Sequence, residues 1–235
     1  MVWLHGLGDS GNGISNWLNM VWISVAEKEG GLLLDLPHVK WIFPTAPRAP
    51  VSVNRGHRAP SWYDIHGFNA DAPVDATGLD EAARYIAGIL EEERRAHPDV
   101  TYIVGGISQG GSLSLYLMCR KALGSFADGS DASALPFIAS IGLSTWLPKC
   151  SLISAPGETD AAVAERAARH PVFIAHGEVD IRVDYAWGRE CSQVLRNAGF
   201  SNVTFNSYPN LGHGMCGEEL TDMRAWLLQH APLPA

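Results

Sequence analysis

Apolar positions along this chain follow two alternating rhythms. Short runs at residues 2–5, 39–43, 101–105, 137–143, 172–175 and 203–208 are nearly continuous in apolar, often β-branched residues, the pattern of strands buried on both faces. Longer segments between them repeat with a helical period. Residues 15–29 predict a helix with Leu18, Val21, Trp22 and Val25 on one face, Ser15 as its cap and Gly30-Gly31 as its stop. Residues 77–96 predict another, burying Leu79, Ala83, Ile86 and Leu90, and further helices are expected at 109–123, at 184–198 before Gly199, and at 218–230 before Pro232. This alternation predicts an α/β fold with a mostly parallel central sheet and helices on both faces. Ligands bind such sheets beyond the carboxyl ends of the strands. The stretch 45–75, rich in Pro, Gly and Asn, is long for a plain connection and is expected to carry function.

Candidate chemistry falls just after these strands. Gly106-Ile107-Ser108-Gln109-Gly110 is a G-x-S-x-G between a strand and a helix. In that setting the serine sits on a strained turn with its hydroxyl projecting, and the residues two before and two after must be very small. A serine hydroxyl is a weak nucleophile and needs a base, itself oriented by an acid. Asp180 follows the strand 172–175 and His213 follows the strand 203–208. The order Ser, Asp, His is that of the α/β-hydrolases. Glu178 is a rival acid earlier in the same turn, and His176 reads as a partly buried strand end. His38, His97, His170 and His230 lie at helix or strand margins.

The opening loop is ambiguous. Gly6-Leu7-Gly8-Asp9-Ser10-Gly11 fits the dinucleotide spacing G-x-G-x-x-G, yet His5-Gly6-Leu7-Gly8 also fits a turn that aims N–H groups at an oxyanion. A dinucleotide site needs an uninterrupted helix after the third glycine and an acidic residue ending the next strand. Asn12-Gly13 is expected to interrupt the helix, and the next strand ends in Phe43-Pro44. The loop is therefore assigned to a tetrahedral oxyanion, with Leu7 and Gln109 as the N–H donors.

Composition narrows the partners. The chain has 235 residues, enough for one fairly large domain, and a net charge of −8. That charge argues against nucleic acid and against electrostatic docking to anionic lipid. No apolar run spans a bilayer, and no basic start with an apolar run marks a secretory signal. The four cysteines, Cys119, Cys150, Cys191 and Cys216, have no C-x-x-C pairing. They are expected to be reduced thiols in a cytoplasmic protein. No metal-ligand spacing is present, and the chemistry calls for neither metal nor cofactor. Met1 stands directly before a buried strand, so one or two strands upstream are expected to be missing.

The blocks "LHGLGDSGNG", "FPTAPRAPVSVNRG", "SWYDI", "GGISQGG", "LSTWLP", "HGEVD" and "YPNLGHGMC" resemble those of the acyl-protein thioesterases, in the phospholipase/carboxylesterase branch of the α/β-hydrolases. The resemblance runs in order from Trp3 to about Trp226. It implies a single α/β-hydrolase domain over 1–235, with Ser108, Asp180 and His213 as catalytic residues and Leu7 and Gln109 as oxyanion donors. It implies S-acylated proteins as substrates, with lysophospholipids and small acyl esters as side substrates, and at most transient membrane contact. A carboxylesterase or deacetylase for short acyl groups, a lysophospholipase, and a non-catalytic ligand receptor are the competing readings. Ile181 stands where relatives usually have proline after the acid.

An acyl chain needs an apolar trough leading away from Ser108. Ile65 and Phe68, with Trp146 and Leu7 on neighbouring turns, are expected to line it. The polar run after Phe68 makes residues 65–77 a lid-like loop.

Overall fold

Alternate residues of the central strands face opposite ways, and two cores result. The computed structural model describes residues 1–20, 22–25, 28–31, 36–68, 72–149, 151 and 160–230. Five strands form the central sheet: β1 (Val2–Leu4), β6 (Tyr102–Ile107), β7 (Phe137–Leu143), β8 (Val172–Gly177) and β9 (Val203–Tyr208). They pair in the order β1-β6-β7-β8-β9, every pairing parallel. Val2, Leu4, Val104, Val172 and Ile174 join one core. Trp3, Ile103, Ile141, Phe173 and Ala175 join the other.

Helices cover both faces. The first core is closed by α2 (Ala76–Ala96), α3 (Gln109–Leu123) and α5 (Tyr185–Asn197), the second by α1 (Gly11–Met20) and α6 (Gly217–His230). The predicted face of α2 is buried at Leu79, Ala83, Ile86 and Leu90. Asp75 caps this helix by accepting from the Gly78 N–H. Among the described residues no helix is long and apolar enough to cross a membrane.

Three expectations need correction. The first helix spans Gly11–Met20 rather than 15–29, and Ser10, not Ser15, caps it by accepting from the Gly13 N–H at 3.0 Å. Beyond it, β2 (Trp22–Val25) and β3 (Lys28–Gly31) pair antiparallel, as suits a β-branched and aromatic run. Asn12-Gly13 does not interrupt this helix, so only the missing carboxylate after Phe43 stands against a dinucleotide site. The expected strand at 39–43 is a single parallel bridge, Val2 to Ile42, because β1 is only three residues long and Pro44 follows closely. The loop 45–75 contains a hairpin of β4 (Arg48–Val51) and β5 (His57–Pro60). Pro50 and Pro60 in these short strands hid it from periodicity. One further helix, α4 (Asp160–Ala167), was not expected.

Glu219, in the first turn of α6, is 0% exposed, and neither carboxylate oxygen has a hydrogen-bond partner among the described residues. Burial pushes its carboxyl up to about 8, more than the nearby Cys216 N–H offsets, and Asp222 adds to the rise. In the unfolded chain the group ionises at its ordinary value of 4.5. Between these two values the unfolded state binds fewer protons, so this group lowers stability as pH rises. Glu219→Gln should raise Tm by several degrees at pH 8 and by little at pH 5. Equal Tm shifts at both pH values would show that the buried carboxyl does not titrate as stated.

Candidate active site

Ser108 occupies the turn between β6 and α3 with φ 55° and ψ −122°. This left-handed φ is strained for a non-glycine residue. Close packing dictates the flanking glycines. A Cβ on Gly106 would lie 2.5 Å from the carbonyl carbon of Gly110, and one on Gly110 would lie 2.2 Å from the Leu4 oxygen. The turn is tied to the sheet on both sides. The Ser108 N–H donates to the Leu143 carbonyl at 2.8 Å, and the Thr145 hydroxyl donates to the Ser108 carbonyl at 2.7 Å.

His213 Nε2 lies 3.0 Å from Ser108 Oγ, and His213 Nδ1 lies 2.7 Å from Asp180 Oδ2. With Asp180 ionised, Nδ1 carries the proton, which leaves the Nε2 lone pair facing the serine hydroxyl. Asp180 is 8% exposed, whereas the rival Glu178 is exposed. Burial alone would raise the Asp180 carboxyl. Hydrogen bonds from His176, His213 and the N–H groups of Val183 and Arg182 outweigh it and hold the group well below the usual carboxylate range. The loops bearing Asp180 and His213 lock together through backbone. Val179 N–H donates to the Leu211 carbonyl at 3.2 Å, and a Cβ on Gly177 would lie 2.0 Å from that same oxygen.

The opening loop lies against the serine, with a Cβ on Gly6 falling 3.4 Å from Ser108 Cβ. His5, fully buried, shapes it. Its Nε2 accepts from the Ala46 N–H at 3.0 Å, so its Nδ1–H donates to the Gly6 carbonyl at 2.7 Å. Gly8, at φ 83°, donates to Pro60 of β5. The Gln109 side chain binds the Ser61 hydroxyl and the Tyr63 carbonyl, which anchors the "SWYD" segment on the serine turn. Among the described residues the N–H groups of Leu7 and Gln109 have no hydrogen-bond partner.

A cavity of about 330 Å³ is lined by Trp146, next to Thr145, and by Tyr63, whose carbonyl Gln109 holds, but by none of Ser108, His213 and Asp180. Ile65, Phe68 and Trp146 line it, together with Trp187, Cys191 and Val194 of α5. Ile65 is buried and Phe68 is 46% exposed. Leu7 is not among the lining residues; it packs against the first core instead. Of the expected lid, residues 69–71 lie outside the described residues, Pro73 and Val74 line the cavity, and residues 76 and 77 already belong to α2. Burial pushes the Cys191 thiol up to about 12, so it lines the wall as an uncharged group. Cys119 and Cys216 likewise form no disulfide among the described residues, and Cys150 lies outside them. Among the described residues no group of three or more His, Cys, Asp or Glu side chains is placed to hold a metal ion.

The layout is that of an α/β-hydrolase. Residues 1–231 match the phospholipase/carboxylesterase family model. The acyl-protein thioesterase 1 of Cryptococcus neoformans is 32% identical over 97% of this chain and 91% of its own length. A probable carboxylesterase of rice (Oryza sativa subsp. japonica) is 33% identical over 98% of this chain and 77% of its own length. The crystal structure of Zea mays acyl-protein thioesterase 2 superposes with a TM-score of 0.80 at 34% identity, covering 98% of this chain and 92% of the maize chain. This chain belongs to the phospholipase/carboxylesterase family and is a hydrolase.

Sequence reasoning missed three contributors. His176 is fully buried and contacts Asp180 rather than merely ending a strand. His5 braces the Gly6 loop. The stripe Trp187, Cys191 and Val194, spaced four and three apart on α5, walls the cavity, and that spacing was a readable apolar face.

Proposed function

We propose that this enzyme hydrolyses fatty-acyl thioesters on protein cysteines, S-palmitoyl groups among them, with Ser108, His213 and Asp180 as its catalytic residues. The observation carrying this reading is the Ser108–His213–Asp180 array, at 3.0 and 2.7 Å; a mostly apolar cavity walled by the neighbouring Trp146 and Tyr63 supports it. His213 takes the Ser108 proton as the hydroxyl attacks the acyl carbonyl carbon. The carbonyl oxygen becomes an oxyanion that accepts from the N–H groups of Leu7 and Gln109. The tetrahedral adduct collapses, the cysteine sulfur leaves with the proton from His213, and the acyl group stays on Ser108. Water, deprotonated by His213, attacks this acyl-enzyme and releases the fatty acid. The cavity walls connect directly to this machinery in sequence, since Trp146 follows Thr145 and the Tyr63 carbonyl is held by Gln109. Names of the Cryptococcus and maize relatives support the thioester reading.

The rice relative's name favours a second reading, hydrolysis of small oxygen esters. Turnover of an acyl series from acetyl to palmitoyl, as thioesters and as p-nitrophenyl esters, decides between them. Rising kcat/KM with chain length on thioesters supports depalmitoylation. A preference for acetyl oxygen esters overturns it in favour of a short-chain carboxylesterase.

Each buried CH₂ contributes about 0.8 kcal/mol, so the cavity wall should set chain preference. Phe68→Ala should change the chain-length profile of kcat/KM while sparing acetyl ester hydrolysis. An identical profile, or an equal loss at every length, would remove Phe68 from the acyl site.

A further inference from the structure

His176 Nε2 lies 3.0 Å from the Val183 carbonyl oxygen and 3.4 Å from Asp180 Oδ2. Both are acceptors, so Nε2 carries the proton. The other ring nitrogen, Nδ1, is buried without a partner among the described residues, and Gly188 of α5 packs directly on it: a Cβ there would lie 2.3 Å away. The ring is therefore held with a proton on Nε2, the side that faces the Asp180 carboxylate. Tyr185 meets it edge-on, with centroids 6.1 Å apart. We infer that His176 is a positioning residue of the hydrolytic reaction, a second imidazole that fixes the Asp180 carboxylate for His213.

Asp180 is thereby held from both sides. Oδ1 accepts from the N–H groups of Arg182 at 2.8 Å and Val183 at 3.0 Å. Oδ2 faces His213 and His176. The Val183 unit is itself pinned, since its N–H reaches Asp180 and its carbonyl accepts from His176. His176, on β8, therefore ties the whole 180–183 turn to the central sheet. Gly188 is the steric condition for this arrangement, because any side chain would push the ring out of place.

The inference rests on the catalytic assignment of Ser108, His213 and Asp180, and the test separates the two. Gln at 176 can place an amide N–H near the Nε2 position. Asn, one methylene shorter, places it near the Nδ1 position, where no acceptor lies. His176→Asn should lower kcat for a p-nitrophenyl ester about 10- to 100-fold with KM changed less than about twofold, and His176→Gln should restore kcat to within about threefold of wild type. Gly188→Ala should lower kcat in the same way, and combining it with His176→Asn should add little, since both act through one ring. Circular dichroism and melting curves identify the folded variants, and Ser108→Ala is measured alongside. Equal kcat in the Asn and Gln variants overturns the inference, as does a loss carried by KM. Should His176→Asn fail to fold, Gly188→Ala with wild-type kcat overturns it equally. An inactive Ser108→Ala beside wild-type His176 variants removes only His176 from the reaction. An active Ser108→Ala removes both assignments.

Discussion

Ser108→Ala and His213→Ala should each lower kcat by on the order of 10⁴-fold or more, and the double variant should be little worse than either alone. In the proposed mechanism the two side chains perform one step. Ser108 Oγ is 3.0 Å from His213 Nε2, and the hydroxyl cannot attack unless that nitrogen removes its proton. Once either group is gone, the other has nothing left to do. Residual activity would then come from the proposed oxyanion donors, the Leu7 and Gln109 N–H groups, and from binding. The measurement is kcat on an activated ester for the two single variants and the double. Losses that multiply would show that the residues act separately. A fluorophosphonate probe should label Ser108 in the wild type and leave His213→Ala nearly unlabelled. Adducts elsewhere with Ser108 clean would contradict the assignment.

The parts of this site that were legible in the sequence are those where backbone geometry permits few residue types. Gly106 and Gly110 could be read because any Cβ there meets backbone at 2.5 and 2.2 Å, so the motif is a steric record of the turn. The buried strands β6, β7 and β8 could be read because nearly every one of their residues is hidden on both faces. Legibility failed where tertiary context decides. Residues 15–29 carry a helical stripe, yet the β-branched run inside it leaves the helix at Met20 and pairs as a strand. The β4–β5 hairpin has two prolines and only Val51 buried, so its pairing leaves no alternation to detect. His176 was invisible as a partner of Asp180 because two residues four apart on a strand and its following turn carry no fixed spatial relation until the turn closes. Leu7 illustrates the opposite error: its place on a post-strand loop was read correctly, but its apolar side chain turned to the first core rather than to the cavity.

Asp180→Asn should lower kcat about 10⁴-fold with the fold intact. The surroundings dictate how the new amide sits. Oδ1 of residue 180 accepts from two backbone N–H groups, those of Arg182 and Val183, at 2.8 and 3.0 Å. An amide nitrogen cannot replace an acceptor there, so the asparagine keeps its oxygen on that side and turns its NH₂ toward the Oδ2 position. That NH₂ then faces His213 Nδ1, which must give up its own proton and accept. The imidazole proton moves to Nε2, directly opposite Ser108 Oγ, where a lone pair is needed. The base is present, correctly placed and in the wrong tautomer. Serine attack then waits for the rare tautomer or for hydroxide, so the variant's kcat should recover as pH rises, unlike that of His213→Ala. Circular dichroism should match the wild type, because the Oδ1 hydrogen bonds that brace the turn survive. The check is kcat against pH for both variants on an activated ester. Wild-type rates in Asp180→Asn at neutral pH would transfer the role of the acid to another carboxylate, with Glu178 in the same turn the first to test.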